Sequence, residues 1–277
     1  MRNFGELLKI YGCGVLRCNA SDASDSSILN QISTIYSDRD FRKLYDDTQA
    51  EFCDISDIES EVSTAFGIYS QLFPSKTIPA IYTHVSGFSQ SVVTSDSLVS
   101  VALDNYMGKD YPGYKGVFYN YQLKSKTKER ITPDILKAWL YTEFPDNRMT
   151  KTLADGMIYE GSVLYTMGKM LPKHAIFELL NYNEEQISWC EENEKNIWGF
   201  ILRSNHLYSS DAIIYAKYLN DAPYNLFFGK ESPGELGKWL GYKIVSGYID
   251  NMGEDKLLQL LSCQWNTIEV LKDSEYK

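Results

Sequence analysis

The sequence predicts an α+β protein that is mostly helical, with a small antiparallel sheet packed on a helical body. Long stretches place apolar residues three and four positions apart, which is the spacing of one helical face. Between residues 80 and 103 the pattern changes to short runs rich in Val, Ile and Tyr, which is typical of strands. No repeat or low-complexity linker interrupts the 277 residues. We therefore expect a single domain, with its sheet within about 74–126 and its helical part at about 130–277.

Four helical segments are predicted before the sheet. Polar residues of the stretch Cys18–Ser27 would cap the second helix, and the fourth stops ahead of Pro74, because a residue before proline avoids the helical conformation. The predicted bounds are Phe4–Tyr11, Ile28–Tyr36, Asp38–Phe52 and Asp54–Phe73.

Three short strands follow, separated by the turn signals Ser86-Gly87 and Ser95-Asp96. Asp104–Lys126 has several Gly and many Tyr residues and is predicted to be a loop. The predicted strands are Ala80–Val85, Ser89–Val93 and Leu98–Leu103.

Local start signals place the helices of the second half. Thr132-Pro133-Asp134 offers a capping oxygen followed by a proline, and Asn183 would cap another helix. Ser232-Pro233-Gly234-Glu235 resembles a capping box, and the Gly237/Gly241 step predicts close helix packing. The predicted helices are Thr132–Glu143, Lys151–Leu171, Glu184–Ser204, Ser210–Leu219, Ser232–Gly253, Lys256–Leu261 and Thr267–Leu271.

Composition excludes several classes of function. A net charge of −10 argues against sequence-independent nucleic-acid binding, which needs a basic surface. Five cysteines without a CxxC pair indicate free thiols and neither a disulfide framework nor a zinc site built on cysteine. No apolar run approaches the ~20 residues of a membrane span, and the N-terminus lacks the pattern of a signal peptide.

The helix Lys151–Leu171 contains the most informative acidic residue. Glu160 lies within an otherwise apolar helical face, and a buried carboxylate must be paired, protonated, hydrogen-bonded or bound to a metal. Asp155 lies a turn and a half earlier, and a capping role suits it best. There is no HExxH, GxSxG, Walker or GxGxxG motif, and the three histidines lack nearby ligand partners, so we expect no metal and no cofactor. The apolar members of this face are Leu153, Met157, Leu164, Met167 and Leu171.

Several segments, in order, resemble the GldB family of gliding-motility-associated lipoproteins of Bacteroidetes. Members of that family usually begin with a lipidated cysteine, so the resemblance implies a lipid-anchored location in the cell envelope, facing the periplasm. Cys13 and Cys18 do not match that cysteine. The matching segments are FPSKTIPAIYTHVSGF (Phe73–Phe88), LDNYMGKDYPGY (Leu103–Tyr114), TPDILKAWLYTEFP (Thr132–Pro145), MIYEGSVLYTM (Met157–Met167), WCEENEKNIWGFI (Trp189–Ile201) and DAPYNLFFGKESPGELGKWLGYKIVSGYI (Asp221–Ile249).

The GldB family is in turn similar to zinc peptidases of the thermolysin-like (zincin) superfamily. Tyr159-Glu160-Gly161 resembles the E-G pair whose glutamate is the third zinc ligand there. The helix that would carry HExxH, Thr132–Glu143, has no histidine, so the resemblance implies a degenerate scaffold without peptidase chemistry. We expect Glu160, Tyr159 and Asp155 to mark the vestigial site, with Glu160 accepting hydrogen bonds in a cleft lined by aromatic residues.

Three functions are then in competition. The first is a non-enzymatic envelope protein, linked by the resemblance to gliding or secretion machinery, that binds a protein or peptide partner. We place its binding site at the sheet edge formed by Gln90, Val92, Leu98 and Val99, because an exposed edge offers unpaired backbone groups. The second is a hydrolase that uses Glu160 with Asp155. The third is a glycan-binding surface built from the Tyr-rich loop 106–121, for which simple loop packing is the rival interpretation.

Overall fold

Residues 8–18 and 25–277 are described by the structure, a computed structural model. The chain divides into two units, one ending at Thr142 and the other comprising Glu143–Lys277.

The helices of the first unit begin and end close to the predicted residues. The Asp38 carboxylate accepts hydrogen bonds from the backbone N–H groups of Asp40 and Phe41 and so caps the second of them. The predicted piece Phe4–Tyr11 lies partly outside the described residues, and a π-helical turn covers Ile10–Val15. The helices are α1 (Asp25–Ser37), α2 (Arg39–Glu51), α3 (Ser56–Leu72) and α4 (Ile131–Glu143), the last starting one residue earlier than predicted.

Three strands form a mixed sheet in the first unit: β1 (Ala80–His84), β2 (Val92–Thr94) and β3 (Leu98–Ala102). The order is β1-β3-β2, with β3 antiparallel to β2 and parallel to β1. The antiparallel prediction is therefore right for one pair and wrong for the other. A tight hairpin pairs β2 with one side of β3 in the antiparallel sense. β1 pairs with the other side of β3, and there the two strands run in the same direction.

The second unit is entirely helical in its regular structure. The Asn183 side chain caps α7 by accepting the N–H of Gln186 at 2.8 Å, as predicted. The helices are α5 (Leu153–Met170), α6 (Ile176–Leu179), α7 (Glu184–Arg203), α8 (Ala212–Leu219), α9 (Leu236–Met252), α10 (Leu257–Leu261) and α11 (Thr267–Asp273).

α5 and α9 cross so closely that their backbones touch. A Cβ atom built on Gly161 would lie 2.2 Å from the carbonyl carbon of Gly241, and one built on Gly241 would lie 1.9 Å from the carbonyl oxygen of Met157. Only glycine fits at both positions. The close packing predicted from the Gly237/Gly241 step is confirmed.

The predicted capping box at Ser232 is wrong, because α9 begins at Leu236, after Glu235. The Ser232 hydroxyl donates to the carbonyl oxygen of Gly229 at 2.6 Å and accepts the N–H of Asn225 at 3.1 Å, so it holds the preceding loop and not the helix start. Glu235 adopts a left-handed conformation, with φ at 52°.

Candidate functional site

Glu160 forms an ion pair with Lys238 of α9. Its Oε2 atom lies 3.7 Å from the lysine Nζ, and the two side chains are only 16% and 12% exposed. Lys238 also pairs with Glu235, three residues earlier at the start of the same helix. One ammonium group therefore lies beside two carboxylates and offsets their negative charge in a partly buried place.

The ion pair between Glu160 and Lys238 was not predicted from the sequence. The expectation that Glu160 accepts hydrogen bonds in a cleft lined by aromatic residues stays a prediction. The available signal was the Glu235/Lys238 spacing of three residues at a helix start, which is a common arrangement for an ion pair.

Tyr159 serves the local structure of the second unit. Its side chain is buried and its hydroxyl donates a hydrogen bond to the carbonyl oxygen of Phe144 at 2.8 Å. Burial, followed by the nearby charge of Glu160, raises the pKa of Tyr159 well above its usual value. The tyrosine is therefore a neutral donor that holds the segment entering α5.

Asp155 caps α5 and connects it to α11. Its carboxylate accepts the N–H of Thr152 at 2.8 Å and the hydroxyl of Thr267, and it lies 3.4 Å from Arg148. Burial alone would raise the pKa of Asp155, but the hydrogen bonds from Thr267 and Thr152 and the charge of Arg148 outweigh it and lower the pKa. The capping role expected from sequence is confirmed.

Replacing Lys238 with methionine should lower the free energy of unfolding by about 1–3 kcal/mol, because both carboxylates then lose their shared cation in a partly buried place. Chemical denaturation at pH 7 measures the change. In the Lys238→Met/Glu160→Gln double variant the loss of stability should be smaller, because the negative charge of Glu160 has been removed as well. Equal losses in both variants would show that Glu160 does not depend on Lys238.

The described residues contain no group of three or more His, Cys, Asp or Glu side chains arranged to hold a metal ion. Two of the histidines have ring nitrogens close to hydroxyl groups: His84 Nδ1 lies 2.8 Å from Ser100 Oγ, and His206 Nδ1 lies 3.0 Å from the hydroxyl of Tyr218. Burial lowers the pKa of His84 to about 4, which keeps its ring neutral near pH 7.

The four residues expected at one sheet edge are split between two strands. Val92 begins β2, which is an edge of the sheet, and Gln90 lies two residues before it. Leu98 and Val99 belong to β3, the central strand, and are 1% and 0% exposed, so their placement at an exposed edge was wrong. The run LVSVA at 98–102 is buried at every position, which is typical of a strand covered on both faces.

β2 presents unpaired backbone groups along its outer side. The carbonyl oxygen of Ser91 accepts the N–H of Ala102, and the N–H of Ser95 donates to Leu98, so alternate residues of this segment bond to β3. The N–H and C=O groups of Val92 and Thr94 therefore point away from the sheet. Within 8–18 and 25–277 no backbone partner is found for them.

A cleft of about 760 Å³ runs along this edge. Its wall opposite β2 comes from α4, which contributes Asp134, Lys137 and Tyr141. Ile10 and Gly14 of the N-terminal π-helical turn also line the cleft, so Val92 and Thr94 face a space bordered by charged, aromatic and apolar residues.

The tyrosines of the Tyr-rich loop are mostly packed against other residues and not exposed on the surface. Tyr106 and Tyr114 are buried, and Tyr114 donates its hydroxyl hydrogen to the carbonyl oxygen of Asp104 at 2.9 Å. The exposed Tyr119 stacks on the half-buried Tyr121, with their ring centroids 6.1 Å apart. This arrangement favours loop packing over a glycan-binding row of tyrosines.

Comparison with known proteins finds one family. The family model described as gliding motility protein GldB matches residues 1–277, which is the whole sequence given. Searches of curated proteins and of solved structures found no match. None of the described helices is both long enough and apolar enough to cross a membrane.

Proposed function

The chain belongs to the GldB family of gliding motility proteins, and from this premise we propose that it is a non-catalytic envelope protein that binds a protein partner as a strand added to β2. The family is one of lipoproteins, and membership implies the cell envelope. The partner is a component of the gliding or secretion-type machinery of the cell, and a lipid anchor holds the protein on the periplasmic side.

The observation that carries this proposal is the open outer side of β2. Val92 and Thr94 line the cleft, and their backbone donors and acceptors have no backbone partner among the described residues. Added strands gain affinity from such main-chain hydrogen bonds and specificity from alternate side chains. The edge is only three residues long, so the neighbouring wall of α4 supplies further contacts.

The non-catalytic part of the proposal is supported by the residues around Glu160. The HExxH motif of the peptidases that the family resembles is missing, and Glu160 is paired with Lys238. Asp155 is engaged as a helix cap. We propose accordingly that the scaffold descends from a zinc peptidase and keeps the glutamate only as part of an ion pair.

Replacing Val92 with proline should reduce partner binding at least tenfold and leave the fold intact. The Val92 N–H points outward, so proline removes a donor that only an added strand would use. We would place a photo-crosslinking amino acid at the exposed Gln90, express the full chain in its own host, and measure the yield of a discrete protein adduct. The proline variant should lose the adduct.

Three controls make this test specific. Val92→Thr keeps the N–H and the strand preference, so it should retain the adduct. A crosslinker at the exposed Lys115 should not give it. Val93→Pro removes an N–H that faces β3, and should cost about 3 kcal/mol of stability, which shows that the two sides of β2 differ. An undiminished adduct in a folded Val92→Pro variant would refute binding at this edge.

A further inference from the structure

Two of the five cysteines, Cys13 and Cys18, belong to one tight turn early in the chain. A π-helical turn covers Ile10–Val15, and the chain leaves it through Arg17, which has a left-handed conformation with φ at 56°. The N–H of Cys18 then donates to the carbonyl oxygen of Gly12 at 2.8 Å, which folds the chain back onto the turn. Cys18 is therefore brought beside the peptide bond that joins Gly12 to Cys13.

This hydrogen bond limits how far apart the two cysteines can be. The Gly12 oxygen lies on the same side of its peptide bond as the Cα atom of Cys13, about 2.8 Å away, and the nitrogen of Cys18 lies about 1.5 Å from its own Cα atom. Together with the N–O distance of 2.8 Å, these lengths keep the two Cα atoms within about 7 Å of each other. Disulfides usually join cysteines whose Cα atoms are about 4.4–6.8 Å apart, so a bond between Cys13 and Cys18 needs little backbone movement.

The two thiols differ in their access to a reagent. Cys13 is half-buried and Cys18 is buried, and both are free thiols in the structure. Burial, followed by the neighbouring Cys13, raises the pKa of the Cys18 thiol, so Cys18 is mostly protonated near pH 7. An oxidant therefore meets Cys13 first, and Cys18 is the second thiol to react.

We propose that Cys13 and Cys18 form an intramolecular disulfide in the oxidising periplasm, an inference that rests on the location proposed above. The Cys13 thiolate attacks the disulfide of a thiol–disulfide oxidoreductase and releases one of its two sulfur atoms as a thiolate. Cys18 then loses its proton and attacks the sulfur of Cys13, and the second sulfur of the oxidant leaves as a thiolate. Two electrons and two protons pass from the cysteines to the oxidant, which ends as a dithiol.

The disulfide fixes a turn that borders the β2 cleft. Ile10 and Gly14, which lie on either side of Cys13 in the sequence, line that cleft. Tyr11 of the same turn donates its hydroxyl hydrogen to the carbonyl oxygen of Val85 at 2.7 Å. A covalent link across the turn restricts how far its two ends can separate. Oxidation therefore holds one wall of the proposed binding cleft in place.

Arg17 lies between the two cysteines, so trypsin cuts between them and the bond can be detected directly. The purified full chain is incubated with oxidised glutathione, denatured and treated with N-ethylmaleimide, and its tryptic peptides are analysed by mass spectrometry. We expect peptides 10–17 and 18–39 to appear as one linked species that separates on reduction with dithiothreitol. N-ethylmaleimide should label all five cysteines of the reduced chain and three of the oxidised chain.

Two variants and a non-reducing gel make this test specific. Cys13→Ser should abolish the linked species, whereas Cys53→Ser, at an exposed cysteine, should keep it. The gel separates monomers from covalent dimers, and the linked species should come from the monomer. Absence of the linked peptides from the folded, oxidised chain, or their presence only in a covalent dimer, would overturn the pairing of Cys13 with Cys18.

The same measurement on the chain isolated from its own host separates this inference from the proposed binding site. Thiols are trapped at lysis with acid and N-ethylmaleimide, and we expect the linked peptides there as well. A bond that forms in the purified chain but is absent from the host protein would overturn both the disulfide in the cell and the periplasmic location. An intact bond in a chain that gives no crosslinked adduct from Gln90 would support the disulfide and refute only binding at β2.

Discussion

Replacing Gly161 with valine should lower the free energy of unfolding by at least about 3 kcal/mol. The first side-chain carbon would lie 2.2 Å from the backbone of Gly241, which cannot rotate away as a side chain would. The two helices must then move apart, and the apolar residues packed around their crossing lose contact. Urea denaturation of the full chain, followed by circular dichroism, measures the loss.

Gly67 provides the matched control for this substitution. It also lies inside a helix, α3, but nothing lies within 4 Å of a Cβ atom built there. Gly67→Ala should therefore stabilise the protein by about 0.5–1 kcal/mol, because alanine favours the helix and restricts the unfolded chain. If Gly161→Val cost no more than an ordinary surface substitution, the close crossing of α5 and α9 would be wrong.

Replacing Asp104 with alanine should cost about 3–5 kcal/mol. The carboxylate is fully buried and accepts the N–H groups of Ser86 and Phe88 at 2.9 and 2.7 Å, together with the Ser86 hydroxyl at 3.1 Å. Alanine would leave these donors buried without an acceptor. The turn they belong to contains Gly87 and Phe88 in left-handed conformations, with φ near 68° and 62°, so its shape depends on this support.

Two further variants and the pH dependence test the Asp104 prediction. Asp104→Asn keeps one acceptor oxygen and should cost less than alanine, and Asp110→Ala, at an exposed position, should cost little. Burial raises the pKa of Asp104 although its hydrogen bonds oppose the change. A carboxyl with a raised pKa in the folded state contributes most below its ordinary pKa, and loses that contribution as the pH rises through the raised value.

The loss of stability in Asp104→Asn should consequently be larger near pH 4 than at pH 7, as measured by denaturant unfolding at both values. A loss that is larger at pH 7 would contradict the raised pKa. Unchanged stability of Asp104→Ala would contradict the buried network around Ser86 itself.

Local sequence patterns predicted the helices well, because spacing and capping act over a few residues. The Asp38 and Asn183 side chains cap their helices through neighbouring backbone groups, and these signals are readable directly. The start of α9 was misplaced because the Ser232 hydroxyl is used by a neighbouring loop, and that competition depends on how the loop folds.

Features that depend on distant residues were missed. Lys238 is 78 positions from Glu160 in the sequence, and their pairing depends on the crossing of α5 and α9. The parallel pairing of β1 with β3 also depends on which side of β3 is left after the hairpin forms. Leu98 and Val99 did carry a usable signal, since an unbroken apolar run indicates a central strand and not an edge.

The two edge strands of the sheet also bear on how copies of this protein behave toward each other. β1 of one molecule and β2 of the next would join head to tail, and such a contact does not close on itself, so repetition would build a fibre. The surplus of acidic groups concentrated in residues 25–73 opposes such an assembly, because like charges on neighbouring copies repel one another.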